Sequence, residues 1–386
     1  MTMFRCAVGH SDDVDTIDAV LGALGVCEKR LEGATPSAGL VFCGIDYDHQ
    51  EVLRQIRSRY PALELIGCTT DGEVSSDLAF THESVLVVLF ASDVVQFRSG
   101  VGRTISTAPD RAGREAVLNA GMDGQTPALV FVVADGLTSS GDAVVAGLQA
   151  ALTDRVPIVG GMAGDKRRVK GTYQLRGDEV LRDSVAILAA YGPLYSAFGV
   201  ESGWEPLGKR VMVTDAERNV VRQIDSRPAL DFYRHYMGSY TRGDVLPAYP
   251  LGVWQDEGRR FHVRSPLFVD EATGTVTFSG EIPTGAEVQM MQVDRPRILE
   301  GSKASIEASA GSFQGKKPEM VFVVSCTTRN EMLGTKTEEE LESIRSRMPG
   351  TPIFGFYAYG EIAPMQPGEA ARFHNETCVT AVLGVE

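Results

Sequence analysis

Four short stretches hold most of the side chains able to do chemistry. Three are glycine turns that follow an apolar run: Gly67-Cys68-Thr69-Thr70-Asp71-Gly72-Glu73, Gly160-Gly161-Met162-Ala163-Gly164-Asp165 and Gly355-Phe356-Tyr357-Ala358-Tyr359-Gly360-Glu361. The fourth, Asp135-Gly136-Leu137-Thr138-Ser139-Ser140-Gly141, opens a helical pattern. Glycine lets backbone N–H groups approach a bound molecule closely. A small-molecule site needs a few convergent polar groups in an apolar cleft. Thr69, Thr70, Asp71, Glu73, Asp135, Ser139, Tyr357, Tyr359 and Glu361 are therefore the candidate ligand-binding residues, with Thr138 and Ser140 beside them. Cys68 at a strand end is the one candidate nucleophile. A thiolate needs a base or a positive surrounding, and Asp71 and Glu73 nearby oppose it. The Asp135 loop lacks the Gly-Lys-Ser/Thr ending of a phosphate-binding loop. A cysteine-dependent enzyme is the weaker reading, and the chain is expected not to be an enzyme.

These turns recur at one place in a repeated unit. An apolar run is followed by a helical pattern, a second apolar run, the glycine turn and a third apolar run. The first copy opens at Leu40–Cys43, and Asp48 is placed to cap a helix to Arg59 before Pro61 stops it. It continues through Leu63–Ile66 and closes at Ser84–Phe90. The second runs Leu129–Val133, a helix to Leu152, Pro157–Val159 and Ser184–Ala190. The third runs Met320–Val324, a helix with Leu341, Ile344 and Met348 on one face, Pro352–Phe354 and Thr377–Leu383. Thr337 and Glu340 have capping-box spacing at the start of that helix. Strand–helix–strand order predicts parallel pairing and a mixed α/β fold of layered sheets flanked by helices. Between about 194 and 300 the pattern breaks into short strands. A helix from Pro228 to Gly238 there has Leu230, Tyr233 and Met237 on its apolar stripe.

Composition narrows the function class. The chain has 386 residues, 43% hydrophobic and 23% charged, with a net charge of -14. That acidity excludes a nucleic-acid backbone as the main partner. The basic run Lys166, Arg167, Arg168, Lys170 reads as a solvated loop. Six cysteines without a CxxC pair suit a reducing compartment. With no signal-like start and no apolar run near the ~18 residues of a membrane span, the expected location is cytoplasmic, without membrane insertion.

The order of these motifs, with Arg227-Pro228-Ala229-Leu230 running to Gly238, resembles the FIST family, whose members pair a FIST N and a FIST C domain. The resemblance spans nearly the whole chain. It implies a FIST N domain over 1–193 and a FIST C domain over 194–386, with 194–310 insert-like and 311–386 holding the third unit. It also implies an intracellular sensor of small ligands such as amino acids. A chain of this make-up is similar to the stand-alone nitric-oxide-sensing, NosP-like branch, which implies haem as cofactor, nitric oxide as ligand and a partner histidine kinase addressed in trans. Homo-oligomerisation is left open. Haem iron takes His, Cys, Met or Tyr. Among six histidines, His235 lies on the aromatic helix with Tyr236, and Asp231 one turn earlier is placed to orient it. Arg234 and Arg264 are candidates for the propionates, and His262 is the second choice of iron ligand. The alternative for Asp231 and His235 is a surface i, i+4 pair. His49 and His82 are expected to be exposed, and His10 to sit in a helix-start turn.

Overall fold

The computed structural model describes residues 3–121, 124–138, 140–152, 156–238, 246–255 and 260–385. The fold is mixed α/β, and the repeat is larger than its sequence trace. Each unit begins one strand and one helix earlier than the hydrophobic runs indicate. The leading strands are Phe4–Ser11, Gln96–Arg103 and Leu194–Glu201. The inner strands are Ala38–Gly44, Leu129–Ala134 and Met320–Cys326. The third strands are Glu64–Thr70, Ile158–Met162 and Ile353–Ala358. The closing strands are Val85–Ser92, Ser184–Tyr191 and Cys378–Val385.

In every unit the inner and third strands pair in parallel. The closing strand lies antiparallel between the leading and inner strands. Helices α1 (Thr16–Leu31) and α2 (His49–Arg59) serve the first unit, α3 (Pro109–Asn119) and α4 (Gly141–Ala151) the second. A short helix α5 (Ala229–Met237) lies in the middle region. Helices α6 (Arg295–Ser312), α7 (Thr327–Leu333) and α8 (Thr337–Arg347) complete the third unit. Asp48 does cap α2, its carboxylate accepting the N–H groups of Gln50 and Glu51. The capping box expected at Thr337 does not form: the Thr337 hydroxyl bonds Asn330 and Gly334 O, and Glu340 turns inward.

After its third strand each unit sends a small hairpin to a neighbouring sheet. The first unit's hairpin, Glu73–Ser75 with Ala79–Thr81, extends the third unit's sheet. The second unit's, Gln174–Arg176 with Glu179–Leu181, extends the first's. The third unit's, Glu361–Pro364 with Ala371–His374, extends the second's. The exchange closes a ring of three units. One core cluster takes side chains from all three sheets, including Phe42, Phe90, Phe131, Phe322 and Phe356, while the opposite sheet faces pack on the unit helices. The middle region, from Glu205 to Gln292, forms a separate eight-stranded sheet over which α5 buries Leu230, Tyr233 and Met237. Among the described residues no helix is long and apolar enough to cross a membrane.

Candidate functional site

The three glycine turns meet at the centre of the ring and bond to one another through backbone. Asp71 N donates to Tyr357 O at 3.1 Å, and Tyr357 N donates to Gly72 O at 2.9 Å. Tyr359 N donates to Met162 O at 3.1 Å, Met162 N donates to Gly360 O at 2.8 Å, and Gly164 N donates to Thr69 O at 2.9 Å. Glycines at matched places in the third strands allow this close packing. A Cβ on Gly67, Gly160 or Gly355 would meet the carbonyl oxygen of Val41, Val132 or Val323 at 1.9, 1.8 and 1.9 Å.

Most of the candidate polar residues are spent on this junction. Thr69 accepts Tyr173 N at 3.1 Å, and Thr70 donates to Glu73. Asp71 accepts Lys166 N at 2.7 Å. Asp135 accepts the N–H groups of Leu137 and Asp183. Tyr357 donates to buried Glu340. Ser139 lies outside the described residues. Tyr359 lines a cavity, as do Thr138 and Ser140 beside the candidate set.

Glu73 and Glu361 occupy matched positions, each opening a hairpin strand and accepting the hydroxyl that precedes the closing strand. Ser84 donates to Glu73 at 2.5 Å, and Thr377 donates to Glu361 at 2.7 Å. In the second unit the matched residue is Gln174, not Asp165 at the end of the glycine turn: Ser184 donates to its Oε1 at 3.0 Å. The second turn carries a loop of extra residues, 165–173, before its hairpin, so the sequence alignment of turn ends misplaces the carboxylate. Burial pushes the Glu73 carboxyl up to about 8, against the hydrogen bonds of Ser84 and Thr70. Burial also raises Glu361 well above the usual carboxylate range, and a neutral amide fills the same role in the second unit. Both glutamates are thus read as neutral acids. A carboxyl whose folded pKa is raised binds more protons folded than unfolded, so its contribution to stability is full below the unfolded value and is lost as pH rises. For Glu73 that window runs from the ordinary carboxyl value near 4.5 to about 8. Glu73→Gln is expected to leave stability at pH 5 little changed and to make it fall less between pH 5 and pH 8, as measured by urea denaturation. An unchanged pH profile would contradict the neutral assignment.

The loop after the second turn is an ordered strap, exposed at Arg168 and Lys170 as expected but partly buried at Lys166 and Arg167. Lys166, Arg167 and Val169 all have positive φ, at 58°, 56° and 51°, a conformation non-glycine residues adopt at a cost. Asp165 holds it by accepting Val169, Lys170 and Gly171 N–H groups. Tyr359 fixes it from the third unit, donating to Asp165 at 2.7 Å and accepting Arg167 N at 2.6 Å. The strap's side chains reach different units. Lys166 pairs with Glu83, Arg168 with Asp46, and Arg167 with Glu331 of α7.

Arg167 forms part of the wall of a cavity of about 1100 Å³ between the ring and the middle sheet. One side is built from the Gly136–Thr138 loop, Met162, Tyr359 and Thr328. The other is built from Val220, Leu267, Phe268, Thr277 and Phe278. Arg264 latches the two sides. It is 4% exposed and donates to Asp142 of α4 at 2.9 Å and to Phe373 O at 3.1 Å. Ser265 donates across the same seam to Glu376. Glu376 is fully buried with φ 61°, and burial pushes its carboxyl up to about 7 against Ser265 and Arg167. Among the described residues, one oxygen each of Glu361 and Glu376 has no hydrogen-bond partner. Sequence reasoning missed Glu376 because nothing in Phe373-His374-Asn375-Glu376 marks it as buried.

The expected haem ligands lie elsewhere. His235, Asp231 and Arg234 are on the exposed face of α5, and Asp231 accepts weakly from Arg234 at 3.5 Å. Tyr236 is half-buried, its ring edge-on to His235. His262 does not line the cavity, and burial followed by Arg264 pushes its imidazole down to about 2. The cavity's own Cys326 is held protonated by burial, and the Tyr359 hydroxyl is committed to Asp165. These residues do not fit a haem site at His235 or His262. Among the described residues no group of three His, Cys, Asp or Glu is placed to hold a metal ion. Cys68 is fully buried, and desolvation, with Cys43 and Glu73 adding to it, raises its thiol well above the ordinary range. His49, expected exposed, is buried beside Tyr173, and His10 is a buried strand residue bonded to Ser75 and Ser84. His82 is exposed as expected.

Comparison with known proteins places the chain. An uncharacterized protein of Mycobacterium tuberculosis is 24% identical over 94% of this chain and 95% of its own length. An uncharacterized protein of Methanocaldococcus jannaschii is 23% identical over 86% of this chain and 70% of its own. Among solved structures, a cyanuric acid hydrolase from A. caulinodans gives a TM-score of 0.39 at 11% identity, with all of both chains covered. A chorismatase gives 0.35 at 12%, covering 99% of this chain and 98% of its own. Likeness at that level bears on no reaction. The FIST N domain matches residues 37–227 and the FIST C domain residues 229–364, so the chain belongs to the FIST family of sensory ligand-binding proteins.

Proposed function

We propose that the protein is a sensor, not an enzyme, and that its ligand occupies the seam cavity between the ring and the middle sheet. The observation that carries this is the cavity's position: its walls come from both FIST domains. Its volume of about 1100 Å³ lies just above the ~300–1,000 Å³ range of small-molecule sites. A ligand there touches both walls, so it favours one seating of the middle sheet on the ring over another. That difference is the signal passed to a separate signalling protein, a histidine kinase being the class the resemblance implies.

A thermal-shift screen of small molecules, run in parallel on the wild type and on Thr277→Trp, tests this. Thr277 lines the cavity and is half-buried, so the indole fills the space. A ligand at about 100 times its Kd stabilises the native state by roughly 2.7 kcal/mol. The expected result is a compound that raises the Tm of the wild type and has no effect on the variant. Compounds that stabilise both equally would overturn the cavity assignment. The absorption spectrum of the purified protein belongs to the same experiment. A stoichiometric Soret band that shifts with nitric oxide would replace this reading with haem-based sensing.

A further inference from the structure

We infer that the seam cavity takes an amphipathic anion, with its acid group on Arg167 and its apolar body against the wall of the middle sheet. The inference rests on the cavity being the ligand site, and deepens it by naming the ligand's chemistry.

The first observation is how Arg167 is placed. A strap with three non-glycine residues at positive φ, pinned by Asp165 and Tyr359, exists at a cost in backbone energy. It sets the Arg167 guanidinium in the cavity wall, where Nη2 donates to the Thr328 hydroxyl at 2.9 Å. The second observation is the partner Arg167 has. Glu331 accepts from Nε at 2.9 Å and from Nη2 at 3.1 Å, but its side chain is 47% exposed at the cavity rim. The pair is open to water on the Glu331 side and more enclosed on the Arg167 side, which is 34% exposed. A ligand acid group that displaces the Glu331 carboxylate forms the same two-pronged contact with the guanidinium in a drier setting.

The third observation concerns the buried acids behind the floor. Ser265, Thr328 and Cys326 line the cavity, and Ser265 donates to Glu376 directly behind them. Glu376 faces Arg167, Arg329, Cys326 and Glu361. Among the described residues, no hydrogen bond joins either buried glutamate to Arg167, and each keeps one oxygen without a partner. Two ionised carboxylates so placed would repel an anion. Below about pH 7, where burial keeps Glu376 as well as Glu361 protonated, they leave Arg167, Arg218 and Arg222 facing only Glu217 and Glu331 among the charged lining residues. The rest of the lining, with Met162, Leu267, Phe268, Phe278 and Phe373, suits an apolar body.

The test uses two fluorescent probes of similar shape, the anion 8-anilinonaphthalene-1-sulfonate and its uncharged relative N-phenyl-1-naphthylamine. They are titrated into the wild type, Arg167→Met, Thr277→Trp and Glu376→Gln. The expected result is one site for the anion, lost in Thr277→Trp and weakened roughly tenfold or more in Arg167→Met, with the uncharged probe indifferent to Arg167. The anion's affinity should also fall as pH rises through about 7, where Glu376 ionises, and Glu376→Gln should flatten that fall. If both probes are blocked by Thr277→Trp yet neither responds to Arg167→Met, the cavity stands and the anion proposal is overturned. If Thr277→Trp changes the binding of neither probe, the cavity reading fails and the proposal with it.

Discussion

Arg329→Met is expected to destabilise the protein by about 3–5 kcal/mol, the cost of stripping a buried ion of its partner. Arg329 is fully buried and pairs with Glu340, 2% exposed, at 2.8 Å. It also donates to Ile298 O at 2.9 Å, to Ser302 at 2.6 Å, and to Ser202 O. Burial alone would raise the Glu340 carboxyl, but Arg329, Tyr357 and Ser302 more than offset it and hold it below the ordinary range. Removing the guanidinium leaves that charge buried with only neutral donors. The pair joins α6, α7, α8 and the third unit's strands, so the loss is global rather than local. Urea denaturation checks the size. The double change Arg329→Met with Glu340→Met should cost less than Arg329→Met alone, because no lone charge remains. A single-variant cost under about 1 kcal/mol would show that the pair is no more than a surface-type contact.

Gly355→Ala is the second large effect expected, about 3 kcal/mol and thus at the upper end of ordinary overpacking. The added methyl would lie 1.9 Å from Val323 O, a backbone atom of the paired strand. No rotamer change relieves that contact, so the parallel pair must part. Gly67 has the same geometry against Val41, and its substitution should cost a similar amount, while Gly160 meets Val132 O in the same way and also has φ 154°, so its substitution should cost more. Gly350→Ala makes the contrast. Its Cβ meets nothing within 4 Å, but its φ of 75° is strained for alanine, so it is expected to cost only about 1 kcal/mol. Equal costs at Gly355 and Gly350 would mean that close strand packing does not explain the glycine turns.

The parts of the fold legible in sequence were those with strong periodicity. Asp48 as a cap, the Leu341–Ile344–Met348 stripe and the three parallel strand pairs all follow from local pattern. The second leading strand was not legible because its sequence mixes exposed and buried positions: Gln96 and Arg98 face solvent beside buried Phe97. Hairpin exchange leaves no local trace either, since Glu73 reads the same whether its strand joins its own sheet or another. Most polar residues of the turns are bonded into the junction: Thr69, Asp71 and Tyr357 hold three units together, while Tyr359, with Thr138 and Ser140 of the neighbouring loop, reaches the cavity. Glu340 shows the limit most clearly. Its spacing from Thr337 fits a capping box, while its actual partner, Arg329, lies across a short helix on the other side of the turn.

The most direct test of the account is hydrogen exchange with and without the compound that most stabilises the wild type. The account predicts slowed exchange on both walls of the seam at once: the 136–138 loop, the 165–171 strap and 326–331 on the ring, and 265–268 with 275–279 on the middle sheet. Protection confined to one wall, or lying away from the seam, would contradict a ligand that reports by bridging the ring and the middle sheet.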